Sequence, residues 1–257
     1  MVVQISESTR QDDTRSWSDA EQKTREDLAA VARSLAELGW TKLIFNHITA
    51  RVPDAPEYFL VNPHGLFYDQ VRASDFVKLD LDGNPVGENR WGFGRAAFVI
   101  HSAVYAARPD VACTIHTHTD GGTIVSALQE GLQPLTLEAA QFYGRVGYHD
   151  YEGMAHDVDE RQRIAADLGP HAALFLRNHG LVVTGSTIAE AFHRNYNLEY
   201  ACRIQAQVLA TGRPLSVISH EAASRTVAQV LAHPARSEPL LEAIHRRLGQ
   251  TDPSYRL

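Results

Sequence analysis

Cysteine is scarce in this sequence. Only Cys113 and Cys202 occur in 257 residues, which excludes a disulfide framework and leaves two buried thiols in a reducing compartment as the expectation. Long apolar runs are missing too: no stretch approaches the roughly eighteen apolar residues of a membrane span. The opening MVVQISESTRQDDTRSWSDAEQKTRED is too polar for a secretory signal. A soluble, cytoplasmic chain with no membrane partner is expected. Clustered Lys and Arg are also lacking, and the formal net charge is -7; with no basic stripe to neutralise phosphates, a nucleic-acid partner is excluded. No strand runs into a glycine-rich loop and helix in the manner of dinucleotide or P-loop folds, and there is neither an internal repeat nor a low-complexity linker. These absences leave small-molecule or protein partners.

What is present suits a packed core, since 44% of the residues are apolar. Residues 1–18 carry no apolar periodicity and are expected to be flexible, with 19–257 as one domain. Leu28, Val31, Leu35 and Leu38 recur at helical steps and Gly39 follows as a C-cap. The segments FNHITARV, YFLVNP and FVKLDLDGNPV then read as an antiparallel meander with an Asp-Gly turn. A helix is expected over Arg95 to Ala107, ahead of the strand VACTIHTHT. VDERQRIAADLG reads as a helix closed by Gly169, and AALFLRNHGLVVTG as two strands broken by an Asn-His-Gly corner. Thr187 and Glu190 form a capping-box signature for a long helix reaching about Ala210. TGRPLSVISHE reads as a hinge before a last helix around EPLLEAIHRRL, and the final DPSYRL as a frayed end. The pattern is mixed α/β with mainly antiparallel connections.

The stretch IHTHTDGG (residues 115–122) carries the first hint of chemistry. Side chains alternate along a strand, so Thr114, His116 and His118 share one face while Cys113, Ile115 and Thr117 share the other, the expected core face. Two residues on one face stand about 6.5 Å apart at Cα, and their imidazoles can converge on one ion at roughly 2.0–2.1 Å. By itself the pair reads equally well as two half-exposed histidines at a strand end. His179 is the best third ligand, since a corner between two apolar strands fixes its backbone, with Gly180 expected to permit the turn. Three imidazoles with an open position suit Zn²⁺, Mn²⁺ or Fe²⁺.

Taken together, FNHITARVP, FLVNPHG, HSAVYAARPDVACTIHTHT and RNHGLVVTG, the last ahead of a long helix, resemble the class II aldolase/adducin family over about residues 25–215, leaving 216–257 as a helical tail. The resemblance implies a three-layer α/β/α domain with a central, mainly antiparallel sheet. It also implies a homotetramer with sites between subunits, and a divalent metal, zinc first, on His116, His118 and His179. The sugar-phosphate aldolases of that family carry a glutamate four residues before the helical His, as metal ligand and acid/base, within a phosphate-holding Ser-Ser-Glu stretch. Here GRAAFVIH puts Ala97 at that position and no serine beside it. The resemblance therefore implies a metal site without a phosphate pocket. His101 and Tyr143 are the remaining candidates for proton transfer, Tyr143 acting from an adjacent subunit. Asn46, His47, Asn62 and Gly65 are expected to approach the substrate, although turn chemistry alone accounts for Asn62 and Gly65.

Three functions follow from this pattern. The first is a metal-dependent lyase that cleaves a C–C bond, by retro-aldol reaction or decarboxylation, in a small unphosphorylated hydroxy-carbonyl or carboxylic acid. The second is a non-heme iron oxygenase on the same three histidines. The third is a non-catalytic structural module of the adducin kind, against which three convergent imidazoles argue, because a scaffold does not need them.

Overall fold

The computed structural model describes residues 2–3, 17–87, 89–155 and 157–257; most of the segment expected to be flexible lies outside the described residues. A short strand β1 (Val2–Val3) pairs antiparallel with β5 (Phe93–Gly94). Helix α1 (Asp19–Glu37) starts where the Ser18 hydroxyl accepts a hydrogen bond from the Glu21 N–H at 3.1 Å, satisfying one of the orphan donors of the first turn. It stops as Gly39 adopts φ +71°, a left-handed conformation that costs least without a Cβ. Leu28, Val31 and Leu35 are fully buried beneath it.

The meander is β2 (His47–Val52), β3 (Ala55–Val61) and β4 (Val77–Asp80), paired antiparallel in that order. Helix α2 spans Arg95–Ala107 as expected, then come β6 (Cys113–Thr117), α3 (Asp120–Ser126), α4 (Leu137–Ala140) and β7 (Val146–His149). Helix α5 (Glu160–Leu168), β8 (Ala173–Leu176), β9 (Gly180–Gly185) and α6 (Ile188–Ala210) follow. Seven strands form one sheet in the order β4-β3-β2-β6-β9-β8-β7, with all neighbours antiparallel except β7 and β8. Helices cover both faces. Leu28, Ile48, Cys113, Ile115 and Phe192 pack together on one side, whereas Phe98, Ile100, Ile164, Leu174 and Val182 pack under α2 and α5 on the other. The domain is therefore the expected α/β/α sandwich.

Four details differ from expectation. First, β6 is buried on both faces, because Thr114 and His116 lie on the α2 side and are as enclosed as Cys113 and Ile115. Second, the capping box is only half made. The Thr187 hydroxyl accepts from the Glu190 N–H at 3.1 Å, but the Glu190 carboxylate takes the Ser186 N–H at 2.8 Å and pairs with Arg194. Third, the expected hinge is followed by an additional helix, α7 (His220–Leu231), capped by Ser219. It fully buries only Ala223 and half-buries Val227 and Val230 at helical steps from it, a short apolar stripe that the hinge reading missed. Helix α8 (Glu238–Thr251) closes the chain as expected. Fourth, the C-terminus is not frayed. Tyr255 is fully buried and bonds His245 at 2.7 Å, and the Leu257 carbonyl accepts from the Ser74 N–H.

Candidate metal centre

The register of β6 between β2 and β9 sets the site. His116 stands opposite His47 on one side and Val182 on the other, and the ladder ends at Thr117, so His118 lies just past the paired strand. His179 occupies the corner between β8 and β9. The structure brings all three together: His118 Nε2 is 2.7 Å from His116 Nε2 and 2.9 Å from His179 Nε2, and no two of the three ligating nitrogens are more than 4.8 Å apart.

The protonation pattern follows from the surroundings. His116 is fully buried and its Nδ1 lies 2.8 Å from the Leu181 carbonyl oxygen, which only accepts. Nδ1 therefore carries the proton and the Nε2 lone pair points at the other two rings. Burial first, then the neighbouring imidazoles, hold His116 well below the ordinary histidine range. His118 is pushed down to about 4 by burial, then His179 and Lys42, and His179 is lowered by burial. Three neutral imidazoles with mutually facing Nε2 atoms have more lone pairs than protons to share, since one N–H on His118 can serve only one neighbour. A divalent cation satisfies all three, so the donor set fits the metal that the sequence implies. His118 and His179 remain partly exposed while His116 is enclosed, which leaves one side open for a substrate.

Backbone devices hold the rings in place. Asn178, with φ +58°, is the left-handed residue of the corner, an arrangement asparagine tolerates better than most residues. Gly180, expected to make the turn, instead permits a close approach: a Cβ there would lie 2.4 Å from the Thr117 carbonyl oxygen. The two glycines of THTDGG let α3 press on its neighbours, because a Cβ on Gly121 would strike Arg203 and Glu199, and one on Gly122 would strike Leu181. The Glu199 carboxylate accepts from both the Gly121 and Gly122 N–H groups, at 3.1 and 2.8 Å. Glu199 was not legible as a site residue, since it lies on a long helix about eighty residues away.

The expected substrate-binding residues divide. Asn46 and Asn62 are buried and spend their amides on the backbone. Asn46 donates to the Trp40 carbonyl at 2.6 Å and accepts from the His118 N–H at 3.3 Å, while Asn62 accepts from the Ile48 N–H at 2.8 Å. Both support the backbone around the site through these bonds. Gly65 is a turn residue at φ +107° with open space where a Cβ would stand. His47 does border the centre: its ring stacks on His116 at 5.1 Å between centroids and its buried Nδ1 has no hydrogen-bond partner. A Cβ placed on Gly94 would lie 3.9 Å from His47 Nε2, His64 Nδ1 and the Ala97 Cβ. His64 is thus a wall residue that its place in a turn had concealed.

His101 is fully buried, its Nδ1 2.6 Å from the Thr49 hydroxyl, which in turn lies 2.8 Å from the Tyr105 hydroxyl. Its Nε2 is buried with no partner, its ring meets His47 edge-on at 5.8 Å, and burial pushes its pKa down to about 3. A neutral imidazole of that kind has no spare proton near pH 7, so His101 lies beside the centre as a neutral hydrogen-bonding group. Tyr143 is not brought to the centre within one chain; its hydroxyl lies 3.0 Å from His220 Nδ1 on α7.

Residues 26–206 match the family described as the Class II Aldolase and Adducin N-terminal domain. The chain belongs to that family. An aldolase II superfamily protein from Pseudomonas syringae superposes with a TM-score of 0.88 at 40% identity, covering 94% of this chain and 98% of its own. L-fuculose 1-phosphate aldolase from Glaciozyma antarctica PI12 superposes at 0.81 with 28% identity, covering 92% and 93%. Rattus norvegicus alpha-adducin is 44% identical over 214 residues, which are 82% of this chain but 29% of the adducin. This class II aldolase/adducin domain therefore resembles both a sugar-phosphate aldolase and the leading part of a much longer protein. Among the described residues no helix is long and apolar enough to cross a membrane.

Proposed function

We propose that this family member is a metal-dependent lyase that cleaves a C–C bond in a small, unphosphorylated hydroxy-carbonyl or carboxylic acid. The convergence of His116, His118 and His179 Nε2 atoms within 2.7–2.9 Å contacts, inside a class II aldolase fold, carries the reading. A divalent ion held there, zinc first and Mn²⁺ or Fe²⁺ next, would polarise a carbonyl and stabilise the oxyanion left when the C–C bond breaks. The chain supplies the rest. The Leu181 carbonyl fixes the His116 tautomer. Helix α2 begins at Arg95, and its N-cap Gly94, which offers no side-chain cap, lies beside His47 and His64. Where the sugar-phosphate aldolases carry their glutamate, Ala97 offers a methyl group and 1% exposure. Proton transfer then falls to the partner subunit's Tyr143 in a homotetramer, while His47, held neutral by burial, borders this wall through Nε2.

The test has two parts. Purified protein should contain one or more equivalents of divalent metal, and His116→Ala should deplete the centre; a His116→Ala protein that kept full metal at unchanged affinity would refute the ligand assignment. L-fuculose 1-phosphate and ribulose 5-phosphate are then compared with unphosphorylated hydroxy-carbonyl and aromatic acids. A specificity constant for either sugar phosphate well above the unphosphorylated set would overturn the substrate class. Tightly held iron with O₂ consumption would move the chemistry to oxygenation. The 44% identity to alpha-adducin favours a second reading, a binding module without turnover; metal binding with no activity on any of these classes would support it.

A further inference from the structure

A second set of donors lies at the far edge of the sheet, where β7 runs toward α5. His149, the last residue of β7, is 3% exposed, and its Nδ1 lies 2.7 Å from Asp167 Oδ2 on α5. The carboxylate accepts that proton, which orients the ring and leaves Nε2 as the outward nitrogen. Nε2 is fully buried and makes no hydrogen bond. It faces Glu160 Oε1 at 3.4 Å. Glu160, in the first turn of α5, is itself 6% exposed. Glu152 completes the group, with one donor atom from each of the three within 4.8 Å of the others.

A buried lone pair facing a carboxylate oxygen is unfavourable unless a positive charge lies between them. Protonating Nε2 would provide one, but a 3.4 Å separation without hydrogen-bond geometry is a poor use of an imidazolium–carboxylate pair, which closes to about 2.7–2.9 Å when formed. Two ligands at about 2.0–2.1 Å from a common tetrahedral ion stand roughly 3.3 Å apart, and that is the spacing observed. The surroundings also follow the pattern of a metal site. Asp167 backs the imidazole, as partners of metal-ligating histidines commonly do, and Arg163 holds the exposed Glu152 carboxylate through Nε at 2.8 and 2.9 Å and Nη2 at 2.5 Å. With the Arg163 and Asp167 charges offsetting each other, the Glu152 and Glu160 carboxylates balance a divalent charge.

We propose that His149, Glu160 and Glu152 form a second, structural site for a divalent transition-type cation of the Zn²⁺ class, tying the end of β7 to the start of α5. An imidazole with two carboxylates favours zinc-like ions over Mg²⁺ or Ca²⁺, which prefer all-oxygen shells. The site shares no residue with the three-histidine centre, so it stands or falls separately from the proposed activity.

The experiment counts zinc. Full-length wild type and a His116→Ala/His118→Ala/His179→Ala triple variant are stripped with chelator, equilibrated with Zn²⁺, desalted and assayed by elemental analysis and thermal melting. The triple variant should retain about one equivalent and melt higher with Zn²⁺ than without. Adding Glu160→Gln, close in shape and free of charge, should abolish both the retained zinc and the thermal shift. His149→Gln provides the same comparison through the other ligand. A triple variant that holds no zinc and shows no shift overturns the proposal, as does one whose retained zinc is indifferent to both Glu160→Gln and His149→Gln.

Discussion

Replacing Gly180 by alanine tests whether the close approach of β9 to β6 sets the metal centre. The new Cβ would lie 2.4 Å from the Thr117 carbonyl oxygen, 3.3 Å from the Thr117 carbonyl carbon and 3.2 Å from His118 Cδ2. The first contact is about 0.6 Å inside the 3.0 Å that real Cβ atoms respect, and it is with backbone, so no rotamer change relieves it. The strands must part beside His118 and His179, whose Nε2 atoms are 2.9 Å apart. Overpacking of this kind costs about 1–3 kcal/mol, or roughly 2–4 °C of melting temperature per kcal/mol for a chain of this size. The larger effect should be on function, because ligands displaced by more than about 0.5 Å no longer converge. Urea denaturation of the metal-free protein gives the stability term, and competition with a chromogenic chelator gives zinc affinity. We expect affinity to fall at least tenfold while the fold survives. A variant with wild-type stability and unchanged affinity would show that the β6–β9 spacing does not govern the centre.

Asn46→Ala removes a buried amide that donates to the Trp40 carbonyl and accepts from the His118 N–H; leaving those groups unsatisfied should cost about 1–3 kcal/mol, visible in urea denaturation, with weaker zinc retention because the His118 backbone is freed. A stability loss with no change in zinc affinity would assign Asn46 to folding alone. Light scattering should give a homotetramer whose activity falls on dilution; a fully active monomer near the chain mass of 28.5 kDa would exclude a site shared between subunits.

The elements legible in the sequence were those whose periodicity carries their burial. Helix α1 follows the spacing of Leu28, Val31 and Leu35, and α2 begins and ends at Arg95 and Ala107 as its pattern predicts. Helix α7 was readable from the steps of Ala223, Val227 and Val230, and was missed because the stripe is short and follows a segment that reads as a hinge. The three histidines were legible through motif and strand alternation. Their supports were not, since a hydrogen bond from Gly122 to Glu199 or from His118 to Asn46 joins residues that only the fold brings together. Asn46 and Asn62 were legible by their place in the loops, whereas their backbone partners were not. His149 and Glu160 were also opaque. Their proximity depends on β7 pairing parallel to β8, with α5 as the crossover between them.

Ala97 stands where this chain departs from the sugar-phosphate aldolases that its fold resembles. The residue is enclosed with Phe98, Val99 and Ile100, and its Cβ faces the Gly94 position beside His47 and His64. A glutamate here would be a carboxylate largely removed from water, tolerable only opposite a cation, because an uncompensated buried charge costs several kcal/mol. In a protein with that glutamate, folding and metal loading are tied together: losing the ion strands the charge. Alanine removes the tie. The three imidazoles are held neutral by burial and mutual proximity, so loss of a metal leaves no bare charge in the core, whereas a bound divalent ion would keep its charge for an anionic ligand. The same residue leaves no carboxylate at that position to act as a fixed base. A metal on these histidines would then be one that the fold accommodates without requiring. On such a background a lineage can keep the centre for chemistry on an unphosphorylated substrate, or keep the fold for binding, with no change to the packing that specifies it.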